Sequence, residues 1–154
     1  MDGGASRSPA GASIDGARTT VTSEDGPQRL VHAMDGGAPS IGEARRVARA
    51  YLSRAVPPVG AALVLDVLLA VSELVTNAVS HAPGPCTLEL AVDADRVLVA
   101  VSDGHRTLPA PRPPRPAGQG GLGLPMLTAL AGGVRTRLRA NGKTVSVVVA
   151  RRRP

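Results

Sequence analysis

The sequence contains no phenylalanine and no tryptophan, and its only aromatic ring apart from histidine belongs to Tyr51. Modules that hold single-stranded nucleic acid by stacking bases on rings therefore have nothing here to stack with. A single cysteine, Cys86, excludes a disulfide framework and a cysteine-based metal site. Lysine is almost missing, with one against 17 arginines. Long apolar runs are missing too. The longest, Val59 to Val71, is broken by Asp66 and is far too short to span a bilayer. The N-terminal MDGGASRSPAGAS lacks the apolar centre of a signal peptide. A cytoplasmic protein with no membrane association is expected.

What remains is 154 residues, enough for one domain with a real core and too few for two ordinary ones. The 43% hydrophobic content is almost entirely Ala, Val and Leu, so the core must be aliphatic. The net charge of +6 is spread out: −2 over residues 1–40, +5 over 41–150, and +3 in the last four residues. A diffuse excess speaks to solubility and weak attraction for polyanions, not to a dedicated groove, and direct nucleic-acid binding is not expected.

Residues 1–27 are small, polar and without apolar periodicity, and read as a disordered tail. Gln28 to Met34 fits a short edge strand. Ser40-Ile41-Gly42-Glu43 has the pattern of a capping box, followed by apolar residues at helical spacing until Pro57-Pro58. A second helix spans about Gly60 to Ala82. Cys86–Val92 and Val97–Ser102 alternate as strands. A proline-rich loop covers 104–120, and a short helix follows from Leu122 to Ala131. A hairpin then turns at Asn141-Gly142. Arg135, Arg137 and Arg139 alternate with Val134, Thr136 and Leu138, so one sheet face is wet and the other covered. The fold class is a two-layer α/β sandwich. Residues 28–150 form the domain and 151–154 a basic tail.

The second helix carries the most chemistry. Val64, Val67, Leu68, Val71, Leu74, Val75, Ala78 and Val79 fall in one arc, the core stripe. Asp66, Glu73, Asn77 and Ser80 lie opposite, with His81 at the margin. A plain solvated face would show the same cluster. Against that, residues 59–82 hold no Lys or Arg, and Leu63, Leu65, Leu69 and Ala70 intrude, as in a pocket wall. Glu73 suits a general base, and the Asn77 amide oxygen one turn later suits a hard cation such as Mg²⁺. Asp103-Gly104, at a strand end, marks either a ligand carboxylate or a turn. Gly118-Gln119-Gly120-Gly121-Leu122-Gly123-Leu124 leads into a helix. It suits close approach to phosphate, or a hinge.

Taken in order, "VSELVTNAVSHA", "VSDG", the loop, "GGLGLPML" and "GKTV" resemble the GHKL (Bergerat-fold) ATP-binding domain. Within it they look like the anti-sigma-factor serine kinases and related small ATP-binding regulators of actinobacteria. The resemblance covers about residues 39–150. It implies a mixed, largely antiparallel sheet covered on one face by helices, with ATP and Mg²⁺ as cofactors. It implies Glu73 as catalytic base and Asn77 as a Mg²⁺ ligand. Asp103 would accept from the adenine amino group, with Thr144 supporting it. Gly120, Gly121, Leu122 and Gly123 would line the phosphate end, under a lid over 104–120. The partners implied are a STAS-type anti-anti-sigma protein, phosphorylated on serine, and a sigma factor held in check. Relatives of this kind are often homodimers. The alternative is a nucleotide-responsive binding switch that transfers no phosphate. The sequence departs from the family pattern in three places: His105 follows Asp103-Gly104 where a glycine is usual, Gln119 stands where the first loop glycine usually sits, and the loop is proline-rich with Arg106, Arg112 and Arg115 as its only cations.

Overall fold

The computed structural model describes residues 18–22, 26, 28–108 and 123–151. The expectations for residues 1–17, the bulk of the lid, Gly120, Gly121, Leu122 and the last three residues lie outside them.

Among the described residues, six strands and three helices follow in the order β1 (Thr19–Thr22), β2 (Gln28–Met34), α1 (Pro39–Leu52), α2 (Ala61–His81), β3 (Cys86–Val92), β4 (Arg96–Asp103), α3 (Gly123–Ala131), β5 (Arg135–Arg139) and β6 (Gly142–Ala150). The sheet order is β1-β2-β3-β4-β6-β5, and every described pair is antiparallel. The expected mixed sheet is therefore corrected. The reason lies in the crossover: α1 and α2 carry the chain out from Met34 and back to Cys86, which sits directly opposite Met34 in the β2–β3 register. A paired-helix connection that returns to its starting end leaves the next strand running the other way.

Two further expectations change. Thr19–Thr22 pairs with Arg29–His32, so the ordered chain reaches back into the segment read as a tail, and β2 is an inner strand with β1 outside it. The capping box at Ser40 is not used. α1 begins at Pro39, and no side chain caps it. Ser40 instead lies buried, its Oγ accepting the Gly36 N–H at 3.2 Å and donating to Asp35 Oδ1 at 3.2 Å. Glu43 turns to His32, whose Nε2 lies 2.7 Å from its Oε1. His32 Nδ1 meets Thr19 Oγ1 at 2.6 Å, which ties β1 to the domain. This hydroxyl–imidazole–carboxylate row is structural, because Thr19 and His32 are both buried and offer no approach to a substrate.

The inward sheet face carries Leu30, Leu88, Leu90, Val97, Val99, Val101, Val145, Val147 and Val149, packed under α1 and α2. It is aliphatic, as the composition requires, and each such side chain contributes about 1.5–3 kcal/mol when buried. Tyr51 is the one ring in it. Its hydroxyl donates to the Gln28 carbonyl, and burial pushes its pKa up to about 12. By length and apolar composition α2 would be able to cross a membrane, but its buried stripe of Val67, Leu68, Val71, Leu74, Val75 and Ala78 makes it the core helix of this domain.

Candidate functional site

Three elements converge on one cavity. The last two turns of α2 supply Leu74, Asn77, Ala78 and His81. The end of β4 supplies Val101 and Asp103, and β6 supplies Lys143 and Val145. Thr107 and Leu108 close the side where the loop leaves. The cavity holds about 210 Å³. That is below the usual range of a drug-sized site (about 300–1,000 Å³) and suits a heterocyclic base whose remaining substituents lie outside. Its apolar walls are Leu, Val and Ala, and its polar points are the Asn77 amide, the His81 imidazole, the Asp103 carboxylate, the Thr107 hydroxyl and the Lys143 ammonium. The intruding residues Leu63, Leu65, Leu69 and Ala70 do not line it. Ala70 is fully buried, because α2 packs on α1 as well as on the sheet, whereas Leu65 is 63% exposed.

Asp103 occupies the last position of β4, opposite Lys143 in the register. Its Oδ1 accepts the backbone N–H of His105 at 2.8 Å, so the residue standing in place of a glycine completes an Asx turn. The His105 ring reaches back to the Pro83 carbonyl at 3.0 Å, pinning the start of the loop to the end of the α2 segment. Lys143 Nζ lies 3.0 Å from both carboxylate oxygens and 3.2 Å from the His105 carbonyl. The Asp103 and Lys143 side chains are only 2% and 6% exposed, so this is a buried ion pair at the floor of the cavity. Gly142 must be glycine for β6 to approach this closely, since a Cβ there would stand 1.9 Å from the Asp103 carbonyl oxygen.

Thr144 does not line the cavity. Its Oγ1 pairs with Ser102 Oγ at 2.8 Å on the opposite face of the sheet. Adjacent residues of a strand point to opposite faces, so the partner of Asp103 is Lys143. The parity was available in the sequence: Val145, Val147 and Val149 alternate inward, and residue 143 shares their face.

Glu73 and Asn77 do stand one turn apart on α2, and Asn77 lines the cavity. Glu73 meets the start of α3: a Cβ on Gly123 would stand 2.1 Å from Glu73 Oε2. Gly123 therefore lets a helix N-terminus, with its partial positive charge, close against the carboxylate. Burial raises the Glu73 pKa above the usual glutamate value. A raised pKa means that the folded protein holds this proton to higher pH than the unfolded chain does. Stability is then lost as pH rises from the ordinary value of 4.5 through the raised one. Glu73→Gln should thus melt higher than wild type at about pH 8, and the gain should vanish below about pH 4, which parallel thermal melts will check.

Among the described residues no group of three or more His, Cys, Asp or Glu is placed to hold a metal. Cys86 is buried, and its thiol pKa is raised by burial and by the neighbouring carboxylates, Asp103 foremost, which leaves it unreactive.

Comparison with curated proteins finds no match. Among solved structures, the chain is similar to the RsbU and RsbW domains of Rv1364c from Mycobacterium tuberculosis, at 22% identity and a TM-score of 0.56. The likeness covers 80% of this chain and 33% of that one, so the chain spans about a third of that protein, and the likeness is one of fold. The description of the histidine kinase-like ATPase domain matches residues 38–149, from the first turn of α1 to the end of β6, and so takes in all three elements that wall the cavity. The chain belongs to the histidine kinase-like ATPase domain family.

Proposed function

We propose that this protein binds Mg-ATP in the cavity between α2, β4 and β6. It transfers the γ-phosphate to a serine of a STAS-type anti-anti-sigma partner, and it otherwise restrains a sigma factor in the cytoplasm. The observation that carries the reading is the alignment along α2 of a base with a raised pKa, an amide oxygen one turn on, and a base-sized cavity closed by a carboxylate.

Within this reading each residue has a distinct task. Asp103 accepts a hydrogen bond from the base and fixes its orientation, while Leu74, Ala78, Val101 and Val145 enclose its faces without a ring to stack on. The Asn77 oxygen would hold Mg²⁺, which would supply neutralisation of the phosphate charge. The α3 N-terminus, brought close by Gly123, adds positive potential at the same end. Glu73 takes the proton from the acceptor serine as its oxygen bonds to the γ-phosphorus and ADP leaves. Positioning and electrostatics do most of the work in phosphoryl transfer, so a rigid helix is a suitable carrier for both residues.

The test is to incubate the protein with Mg-ATP labelled at the γ-phosphate and with STAS-domain proteins. Label should appear on a partner serine. ATP bound by calorimetry with no label transferred to any partner would instead identify a nucleotide-responsive switch.

A further inference from the structure

The chain's only lysine, against 17 arginines, is Lys143, and it is buried at the floor of the cavity. We propose that Lys143 is a specificity-determining residue that reads the ring nitrogen of a 6-aminopurine while Asp103 reads its amino group. The inference rests on the nucleotide reading above and adds a residue and a base-edge chemistry to it.

The hydrogen-bond count leads there. An ammonium has three N–H donors, and here they face Asp103 Oδ1 at 3.0 Å, Asp103 Oδ2 at 3.0 Å and the His105 carbonyl at 3.2 Å. On the carboxylate, Oδ1 already accepts both the His105 N–H and Lys143, whereas among the described residues Oδ2 has the ion-pair contact to Lys143 at 3.0 Å and no further donor. Oδ2 is the free acceptor for an exocyclic amine. The longest of the three ammonium contacts goes to the carbonyl of His105, an exposed residue whose oxygen can take water instead. That N–H can swing to a base nitrogen while both contacts to Asp103 remain.

The pair then presents a donor and an acceptor side by side, which matches the adjacent amino group and N1 of adenine. Lysine suits the place better than the arginine this chain otherwise prefers. A guanidinium is a wide planar fork needing several acceptors, and it would fill a cavity of about 210 Å³ that a compact ammonium leaves open. The charge balance also matters. A base amine meeting a bare buried carboxylate would be competing with the cost of that uncompensated charge, and Lys143 removes the cost in advance.

The experiment compares ATP with 1-deaza-ATP, in which a C–H replaces N1, by calorimetry on wild type and on Lys143→Met. Wild type should bind ATP about 10- to 100-fold more tightly than the analogue, as for one hydrogen bond to a charged donor. In Lys143→Met the two affinities should converge to within about twofold, because the discriminating donor is gone. Equal affinities in wild type, or a preference that survives in Lys143→Met, would overturn the proposal while leaving nucleotide binding intact. Failure of wild type to bind ATP at all would overturn the nucleotide reading and this proposal together. Should the variant not fold, the wild-type comparison still decides, since equal affinities there contradict the role.

Discussion

Replacing Glu73 with alanine should lower phosphoryl transfer to a STAS partner by about 10²- to 10⁴-fold, the usual worth of a positioned general base, while ATP affinity changes little. The separation follows from position. Asn77, Asp103 and Lys143 line the cavity, but Glu73 does not; it stands one turn before Asn77, against the N-terminus of α3. Its raised pKa makes it a stronger base than an exposed glutamate, and the same burial makes its ionised form a liability for stability. Glu73→Ala should therefore be no less stable than wild type at neutral pH while being far less active. Rate constants for label transfer, measured beside thermal melts, check both halves.

The second large effect is expected at Gly123. A methyl group there would stand 2.1 Å from Glu73 Oε2 and 2.9 Å from its Cδ, closer than packed atoms can sit. The obstructing group is the far end of a flexible side chain, so the fold has an escape: Glu73 swings away. Gly123→Ala should consequently cost little in melting temperature but about 10²-fold in phosphoryl transfer, because a displacement of an ångström at a reacting group has that order of effect. A variant that lost both stability and activity would mean that α3 itself, and not the carboxylate, had given way. Circular dichroism melts with single-turnover transfer rates distinguish the two.

The physical cause of each legible feature is local. The two termini of α2 were readable because a 3.6-residue apolar stripe runs between Gly60 and Pro83-Gly84-Pro85, and the observed helix, Ala61–His81, obeys it. The last hairpin is legible from its turn residues, but the turn sits one residue earlier than Asn141-Gly142: Ala140 and Asn141 form it, and Gly142 already pairs with Arg139 as the first residue of β6. What was not legible depended on partners distant in sequence. Ser40 looks like a cap for α1, but the buried loop amide of Gly36 and the carboxylate of Asp35 claim it first. Thr19–Thr22 has the composition of a tail, and only the edge of β2 and the His32 ring make it a strand. Of the residues the sequence singles out, Asn77 and Asp103 line the cavity and Glu73 stands against Gly123. The family resemblance implies Thr144 beside Asp103, whereas strand parity puts its neighbour Lys143 on the cavity side. A one-residue step along a strand exchanges the two sheet faces, so motif spacing without parity misplaces a side chain completely.

Everything proposed for this domain depends on nucleotide entering the cavity, and thermal melting with Mg-ATP tests that most directly. With ATP at about 100 times its dissociation constant, a ligand binding only the folded state stabilises it by about 2.7 kcal/mol, or roughly 5–10 °C for a chain of this size. Wild type should show that rise, and Asn77→Ala and Asp103→Asn should each lose most of it. No rise at any ATP concentration, or the same rise in wild type and both variants, would contradict the account.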